Sequence, residues 1–398
     1  MKLRKDIILP PSLRISDDGE ERHAEWLELF YDLVFVAAIS IISLNLSSDY
    51  SFHGFLKSIP LFFVIWWGWV GHTFYLTRFG TDDILNRFLT MLQMIVVAAL
   101  AVNVSAAYGH SGQEFAIAYA LLRFILVLEY YRAGKYLSKA KKLADHYIKG
   151  FLLAALIWLI SAFIPAPYIF VLWALAIIVD ILTPITAAEE HYKLPPHSKH
   201  LPERFGLFTI ILIGEAVVSV VFTINAVGFG FISEISGIMG LIIAFSIWWS
   251  YFEEARGAEA KIIKSENKVS SYQLWLYSHF PLLLGIAALA TGIKHVIDLD
   301  TGSFLPSGEV WLLCVSLALT FLSLNLIHIS SFSLSECKNK LFIAFRMPYY
   351  FIIVMVLLTG FIGHLIPAWA FLSILALWCL LKVLFSLREV PEELVCKL

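Results

Sequence analysis

A few ionisable residues lie inside long apolar runs of the sequence, and these side chains are the ones with which the chain could do chemistry. Glu28 and Asp32 are four residues apart near the start of the first run, so both carboxylates fall on one face of a helix. Two like charges at this spacing repel each other unless cations flank them. For Glu28, a structural cluster at the membrane surface is the alternative, and Asp32, which is deeper, is the stronger candidate for binding a proton or cation.

Glu215 lies in a later apolar run, about 15 Å along a helix that we predict to start at residue 205, which is near the middle of a bilayer. Its neighbours Ile213, Ala216 and Val217 are too apolar to solvate a carboxylate. We therefore predict that Glu215 is a buried acid that binds protons. The alternative is that it only forms an ion pair with Arg123.

Arg123 is the one cation that we place deep in a predicted span. Glu129 follows it by six residues, about 600° around a helix, so the two side chains project to different faces. Arg123 must find an acid on another helix, and we predict that this acid is Asp32 or Glu215. Asp180, in the sixth run, adds a further carboxylate. The excess of acids over cations within the runs favours protons or small cations as the species accommodated.

Four further residues are secondary candidates. His72 in the second run and His279 in the ninth could relay protons, because imidazole titrates near neutral pH; packing is the alternative role for each. Arg22 and Arg204 precede the first and seventh runs, where they could neutralise Glu28.

The composition predicts the elements that must position these residues. The chain has 398 residues, of which 59% are hydrophobic and 15% are charged, whereas soluble domains are about one quarter charged. We predict an all-α integral membrane protein with twelve spans of about 20 residues, each long enough for a bilayer of about 30 Å. The predicted spans are 26–46, 55–77, 86–107, 115–138, 148–165, 168–187, 205–226, 235–257, 272–296, 308–331, 341–366 and 368–387.

Charge placement predicts the orientation. If the N-terminus is cytosolic, nearly all of the 29 Lys and Arg residues fall on the inner side of the membrane. We therefore predict a multi-pass protein of the bacterial inner membrane with both termini in the cytosol.

Two pairs of dipeptides indicate an internal repeat. Glu21-Arg22 precedes Trp66-Trp67 by 45 residues, and Glu203-Arg204 precedes Trp248-Trp249 by the same 45 residues. Because six spans is an even number, a duplication of six gives parallel repeats. Chance similarity of membrane-protein composition is the alternative. The predicted segments are an N-terminal segment 1–25, a first repeat 26–187, a linker 188–204, a second repeat 205–387 and a tail 388–398.

Two stretches resemble a known family. Residues 22–36, RHAEWLELFYDLVFV, resemble the opening signature of the bacterial low temperature requirement protein A family, and residues 200–215, HLPERFGLFTIILIGE, resemble a second signature. Tyr31 stands where Phe is more usual. The resemblance implies a multi-pass inner-membrane protein associated with growth in the cold and with stress response, and it implies no particular substrate.

Several functional classes lack support in the sequence. The four cysteines form no Cys-x-x-Cys pair, and there is no Walker motif or dinucleotide fingerprint, so we expect no cofactor, metal or nucleic acid partner. The leading hypothesis is a secondary transporter or permeation protein with proton or cation coupling, surrounded by membrane lipids. The alternatives are a membrane sensor or scaffold for cold or stress adaptation, and a membrane-embedded enzyme acting on lipid. Of these classes, we expect that the protein is not an enzyme.

Overall fold

Long helices make up nearly all of the structure. A computed structural model describes residues 9–14, 24–228, 230–254, 269–300, 302–331 and 340–387, and within these ranges it contains no β-strand. Twelve long helices and one short helix are present there. They are α1 (Trp26–Ser48), α2 (Phe52–Phe79), α3 (Ile84–Val104), α4 (Gly112–Tyr136), α5 (Lys141–Ser161), α6 (Tyr168–Thr186), the short α7 (Ala188–Lys193), α8 (His200–Val227), α9 (Phe231–Trp249), α10 (Val269–Asp298), α11 (Ser307–Ser331), α12 (Lys340–Ile362) and α13 (Ala368–Ser386).

Eleven of the described helices are long and apolar enough to cross a membrane. Each of the twelve predicted spans corresponds to a long helix, and α4 is the one that fails this test of composition. The reason is its charge, since Arg123, Glu129 and Arg132 all lie within 10 residues of one another along α4. All three side chains are nevertheless buried, so neighbouring helices rather than lipid surround them.

The seventh long helix, α8, starts earlier than the sequence predicts. We predicted a span from residue 205, whereas α8 begins at His200. Its first turn therefore includes Arg204, and α7 occupies the first part of the predicted linker. This earlier start matters because it places His200 and Arg204 on a helix instead of a loop.

The chain divides into two compact units. The first unit contains α1 up to Ile42, α2 from Leu61 onwards, α3 to α7, and α8 up to Arg204. The second unit contains the remaining parts of α1, α2 and α8 together with α9 to α13. The six-helix duplication stays a prediction.

In the first unit, α4 lies between α3 and α5, and α5 packs on α6. Aromatic side chains fill the space between α2, α4 and α5: Tyr130 stacks on Tyr147 with ring centroids 4.8 Å apart, and Tyr75 meets Tyr130 edge-on. Gly134 allows α4 and α5 to approach each other closely, because a Cβ there would lie 2.9 Å from the Cβ of Ala144. This packing fixes the position of α4, which carries three buried charged side chains, Arg123, Glu129 and Arg132.

In the second unit, α13 packs against both α9 and α12, and α12 packs on α11. The indole of Trp249 donates a hydrogen bond of 3.0 Å to Ser386 Oγ. Directly after α9, residues Ser250–Glu254 form a single π-helical turn. Such turns widen the helix and change the direction of its side chains, and here the turn aims Glu254 at α13.

Candidate functional site

The first cluster of the first unit joins the two acids of α1 to Arg204. Arg204 Nη1 lies 3.1 Å from Glu28 Oε2, and Nη2 lies 2.5 Å from Asp32 Oδ1. All three side chains are buried. One guanidinium therefore contacts both carboxylates, which confirms that Glu28 and Asp32 share a helix face. Arg204 can do this because α8 begins before it.

Neutral groups complete the surroundings of these acids. Trp69 Nε1 donates a hydrogen bond of 2.6 Å to Asp32 Oδ1, and His200 Nε2 lies 3.0 Å from Glu28 Oε2. Asp32 Oδ2 has no hydrogen-bond partner among the described residues, although it is buried. Glu28 is thus a fully engaged structural acid, whereas Asp32 keeps one free oxygen.

The second cluster is centred on His72 of α2, and we call it the His72 centre; it consists of Tyr31, His72, Gln93 and Glu129. His72 Nδ1 lies 3.0 Å from Glu129 Oε2 and 2.9 Å from Gln93 Nε2. Gln93 Nε2 donates to Glu129 Oε2 at 3.0 Å, and Tyr31 donates to Gln93 Oε1 at 2.8 Å. Four helices, α1 to α4, each supply one of these side chains.

The His72 centre is enclosed on all sides. His72, Gln93 and Glu129 are each no more than 1% exposed, and the Tyr31 ring centroid lies 4.5 Å from that of His72. Within the described part of the chain, His72 Nε2 and Glu129 Oε1 have no hydrogen-bond partner. Tyr31 precedes Asp32 in the sequence, so it places the His72 centre beside the first cluster.

The third cluster contains Arg123, and our prediction that it contacts Asp32 or Glu215 is wrong. Arg123 Nε pairs with Asp180 Oδ2 at 2.9 Å, and Arg123 also donates to the Tyr119 hydroxyl, one turn earlier on α4. The physical reason is that Arg123 and Tyr119 share a face of α4, one turn apart, and both side chains are long enough to reach Asp180 on α6. Gly71 of α2 makes room for the guanidinium, since a Cβ there would lie 2.8 Å from Arg123 Nη1.

Glu215 lies in the second unit on α8 and is half-buried. It is less enclosed than we predicted, because this face of α8 is open: Val218 is 46% exposed, and a Cβ on Gly214 would meet nothing within 4 Å. Glu215 makes no hydrogen bond or ion pair with any residue that the structure describes. Its assignment as a proton-binding acid stays a prediction.

Of the secondary candidates, His279 has the contacts of a packing residue. Its Nδ1 lies 2.7 Å from the carbonyl oxygen of Trp275, and the Tyr251 hydroxyl lies 3.0 Å from its Nε2. A carbonyl can only accept, so Nδ1 carries the hydrogen and Nε2 accepts from Tyr251. Arg22 lies outside the described residues.

Lys382 of α13 is an enclosed cation that sequence reasoning missed. Its Nζ lies 2.5 Å from both Glu254 Oε1 and Ser250 Oγ, and 4.2 Å from the centroid of the Tyr349 ring. Arg123 is therefore not the only cation deep in a span, contrary to our prediction. The available signal was a single Lys in an otherwise apolar run, and its partner is Glu254 at the end of the π-helical turn.

A further buried pair lies where α2 meets α3. Arg132 Nη2 is 2.6 Å from Asp83 Oδ2 and also donates to the carbonyl oxygen of Leu9. Residues 9–14 run along this end of the unit, where the Ser12 amide donates to Thr81 Oγ1 at 3.1 Å. Sequence reasoning missed this pair because Asp83 lies just before a helix, where an exposed acid is the ordinary expectation.

A small opening of about 250 Å³ lies beside Glu28 in the first unit. It is lined by Glu25, Leu27, Glu28, Leu76, Gly80, Thr81, Asn86 and Thr90. Five of these eight residues have polar side chains. As for metals, no group of three or more His, Cys, Asp or Glu side chains within the described ranges is arranged to hold an ion.

The helices and their enclosed charges define the class of a multi-pass helical membrane protein. The profile of the bacterial low temperature requirement A protein family matches residues 23–384, and the chain belongs to this family. The chain is also similar to an uncharacterized protein of Rhizobium meliloti (strain 1021), with 26% identity over 309 residues that cover 72% of this chain and 74% of that protein. No solved structure matches the chain.

Proposed function

We propose that this protein is a secondary transporter or permeation protein in which protons bind to carboxylates buried in the first unit. The observation that carries the proposal is the contact of the buried Glu129 carboxylate with the His72 imidazole, 3.0 Å apart. On this proposal the protein moves its substrate across the membrane and does not transform it chemically.

The partners of the buried acids single out Glu129. Four buried acids of the first unit contact an Arg guanidinium: Glu28, Asp32, Asp83 and Asp180. Arg stays protonated in proteins, so each of these four acids has a permanent positive charge beside it. Glu129 instead faces His72, and a carboxylate next to an imidazole can exchange a proton at physiological pH. This pair has the chemistry that proton coupling requires.

A polar stripe on α3 supports access to this pair. Asn86, Thr90 and Gln93 are all buried, and their spacing of four and three residues puts them on one face of the helix. Asn86 and Thr90 line the opening beside Glu28, whereas Gln93 belongs to the His72 centre. The stripe covers about 10 Å along the helix axis. On this proposal, a proton passes along this face of α3 from the opening to Glu129.

The proposal also includes the location and the partners. We place the protein in the bacterial inner membrane with both termini in the cytosol, because the Lys and Arg residues concentrate in the corresponding connections. The coupled species is a proton or a small cation, and the surrounding partners are membrane lipids. The predicted parallel repeats would add Glu215 as an acid of the second half.

The test is proton flux in proteoliposomes under an imposed pH gradient, followed with a pH-sensitive dye enclosed in the vesicles. Glu129→Gln keeps the size and hydrogen bonding of the side chain but removes the exchangeable charge. We expect a loss of proton flux of at least about tenfold, which is typical of removing a proton-transfer group.

Asp82→Asn is the matched control, because Asp82 is an acid of the same unit that is exposed and paired with Arg87 at the surface. It should keep the flux of the original protein. The proposal is wrong if the original protein carries no proton flux, or if Glu129→Gln carries as much as Asp82→Asn. The first result would favour the scaffold or sensor function.

A further inference from the structure

Three polar atoms meet in a nearly equilateral triangle in the His72 centre. His72 Nδ1, Glu129 Oε2 and Gln93 Nε2 are separated by 3.0, 3.0 and 2.9 Å. Nδ1 cannot donate to the carboxylate and accept from the amide at the same time, because it carries either a hydrogen or a lone pair in the ring plane. The triangle is therefore compatible with two different sets of hydrogen bonds.

We infer that His72 and Glu129 hold one exchangeable proton between Nδ1 and Oε2, and that Gln93 is the positioning residue that donates to Nδ1 when this proton leaves. The inference rests on the proposed function, for which it names the proton-binding atoms. It assigns to Gln93 a role that neither its position in the sequence nor its residue type suggested.

The two states differ by one proton. In the loaded state, the imidazolium N–H at Nδ1 donates to the Glu129 carboxylate, and the Gln93 amide donates to the same Oε2. When the proton leaves, the N–H bond electrons remain on Nδ1 as a lone pair and His72 becomes neutral. The same N–H of the Gln93 amide, which lies between the two acceptors, is then shared between Oε2 and Nδ1 as a three-centre hydrogen bond.

The surrounding groups favour this pair as the exchanging one. The titratable groups that face His72 are Tyr31 from α1, Tyr75 from its own helix and Glu129 from α4. Gln93 supplies the contact from α3. The charge of Arg123, on α4, is engaged by Asp180. No Arg or Lys forms an ion pair with Glu129 among the described residues, so His72 is the group that sets the charge balance of this acid.

A hydrogen bond from Tyr31 links Gln93, and through it the proton site, to α1. Tyr31 donates to Gln93 Oε1, so the amide oxygen is held while the amide nitrogen changes its hydrogen bonds. Holding Oε1 prevents the amide from turning over by 180°, which would aim an oxygen at Oε2 and oppose two acceptors. Gln93 is therefore oriented with its donors towards the proton site in both states.

The experiment is nitrogen NMR of histidine-labelled protein in detergent micelles across a pH series. The chain has 12 histidines, so His72→Gln and His279→Gln identify the two signals of interest. We expect His72 to pass from a protonated to an unprotonated Nδ1 as the pH rises. His279 is the internal control, because its bonds to Trp275 and Tyr251 fix the hydrogen on Nδ1 at every pH.

Glu129→Gln should abolish the transition of His72, since a neutral amide cannot stabilise the imidazolium. Gln93→Met removes the amide donor from the triangle. Because only this donor separates the two acceptors Nδ1 and Oε2 in the unloaded state, the midpoint of the His72 transition should move upward by about half to one pH unit. A residue with a merely structural role would change the amount of folded protein and leave this midpoint where it is.

Tyr31→Phe is the milder variant, in case Glu129→Gln or Gln93→Met fails to fold. It removes one hydroxyl and should shift the midpoint by less than Gln93→Met while the transition persists. The inference is overturned if His72 stays in one protonation state throughout the pH series, or if Gln93→Met and Tyr31→Phe both leave the midpoint unchanged. The spectra need no transport assay, so absent proton flux in vesicles would reject the proposed function without deciding this result.

Discussion

The two compact units enclose very different interiors. The first unit buries five acids, and their partners include Arg123, Arg132 and Arg204. In the second unit, none of the described acids is as enclosed, and Lys382 pairs with Glu254, whose side chain is 12% exposed. Among the described residues, α9 and its π-helical turn thus form one ion pair with α13. Burying five acids costs the first unit more than helix packing requires, which indicates that the excess serves a function.

The two buried histidines repeat this contrast on a smaller scale. His72 and His279 are both fully buried and both contact a tyrosine ring. His279 bonds to a carbonyl and a hydroxyl, which fix its hydrogens, whereas His72 faces a carboxylate and an amide. The residue type is the same, and the neighbours give the two rings different hydrogen-bonding possibilities; our proposal of a proton site at His72 depends on this difference.

The largest effect that would test this contrast comes from removing one buried cation from each unit. Arg204→Met strands Glu28 and Asp32 in a buried site, and we expect a loss of about 3 to 5 kcal/mol in the free energy of unfolding. Lys382→Met strands Glu254 alone, so its loss should be smaller. Thermal unfolding of the purified variants in detergent measures both.

Arg87→Met is the control for Arg204→Met, since Arg87 pairs with Asp82 at the surface and both side chains are more than half exposed. It should change stability by no more than about 1 kcal/mol. If Lys382→Met is as destabilising as Arg204→Met, the two interiors are equally dependent on their charges and the contrast fails.

Two glycines, one in each unit, allow a second comparison of stability, with an effect of intermediate size. Gly71→Ala would place a Cβ 2.8 Å from Arg123 Nη1 and 2.9 Å from Leu126 Cδ2 in the first unit. We expect it to destabilise the protein by about 1 to 3 kcal/mol, as overpacking does.

Gly214→Ala, on the open face of α8 in the second unit, would meet no atom within 4 Å and should be neutral or stabilising by up to about 1 kcal/mol. The same unfolding measurement applies to both variants. Equal effects at the two positions would mean that Arg123 can move aside freely.

The smallest effect is expected at the exposed pair of α7. The hydrogen bond from the Lys193 ammonium, 2.5 Å from Glu189 Oε1, lowers the pKa of the Glu189 carboxylate. A carboxylate with a lowered pKa stabilises the folded state above its ordinary pKa and loses this contribution as the pH falls through the lowered value. Because both side chains are solvated, Lys193→Ala should leave the unfolding temperature unchanged between neutral and mildly acidic pH. A measurable drop would show that exposed charges matter as well.

The sequence predicted the helices well because the apolar runs are long, and membrane insertion allows few alternatives. It also placed Glu28 and Asp32 on one face, because helical periodicity determines which residues share a face. It could not identify partners on other helices: Arg123 of α4 pairs with Asp180 of α6, 57 residues later, and the tertiary arrangement of the helices decides this pairing. The exposure of Glu215 likewise depends on which face of α8 its neighbours cover, and periodicity alone does not decide this.

The contact between Asp32 and Arg204 joins residues that are 172 positions apart in the chain. At about 5 to 20 residues per second, a ribosome needs roughly 10 to 30 s to synthesise that interval. During this time α1 has already been synthesised, but Arg204, whose guanidinium neutralises its two carboxylates, has not. The contact of Arg204 with the two carboxylates of α1 thus forms late in biogenesis. Substitutions near the start of α8 should therefore disturb the assembly of helices that are already inserted.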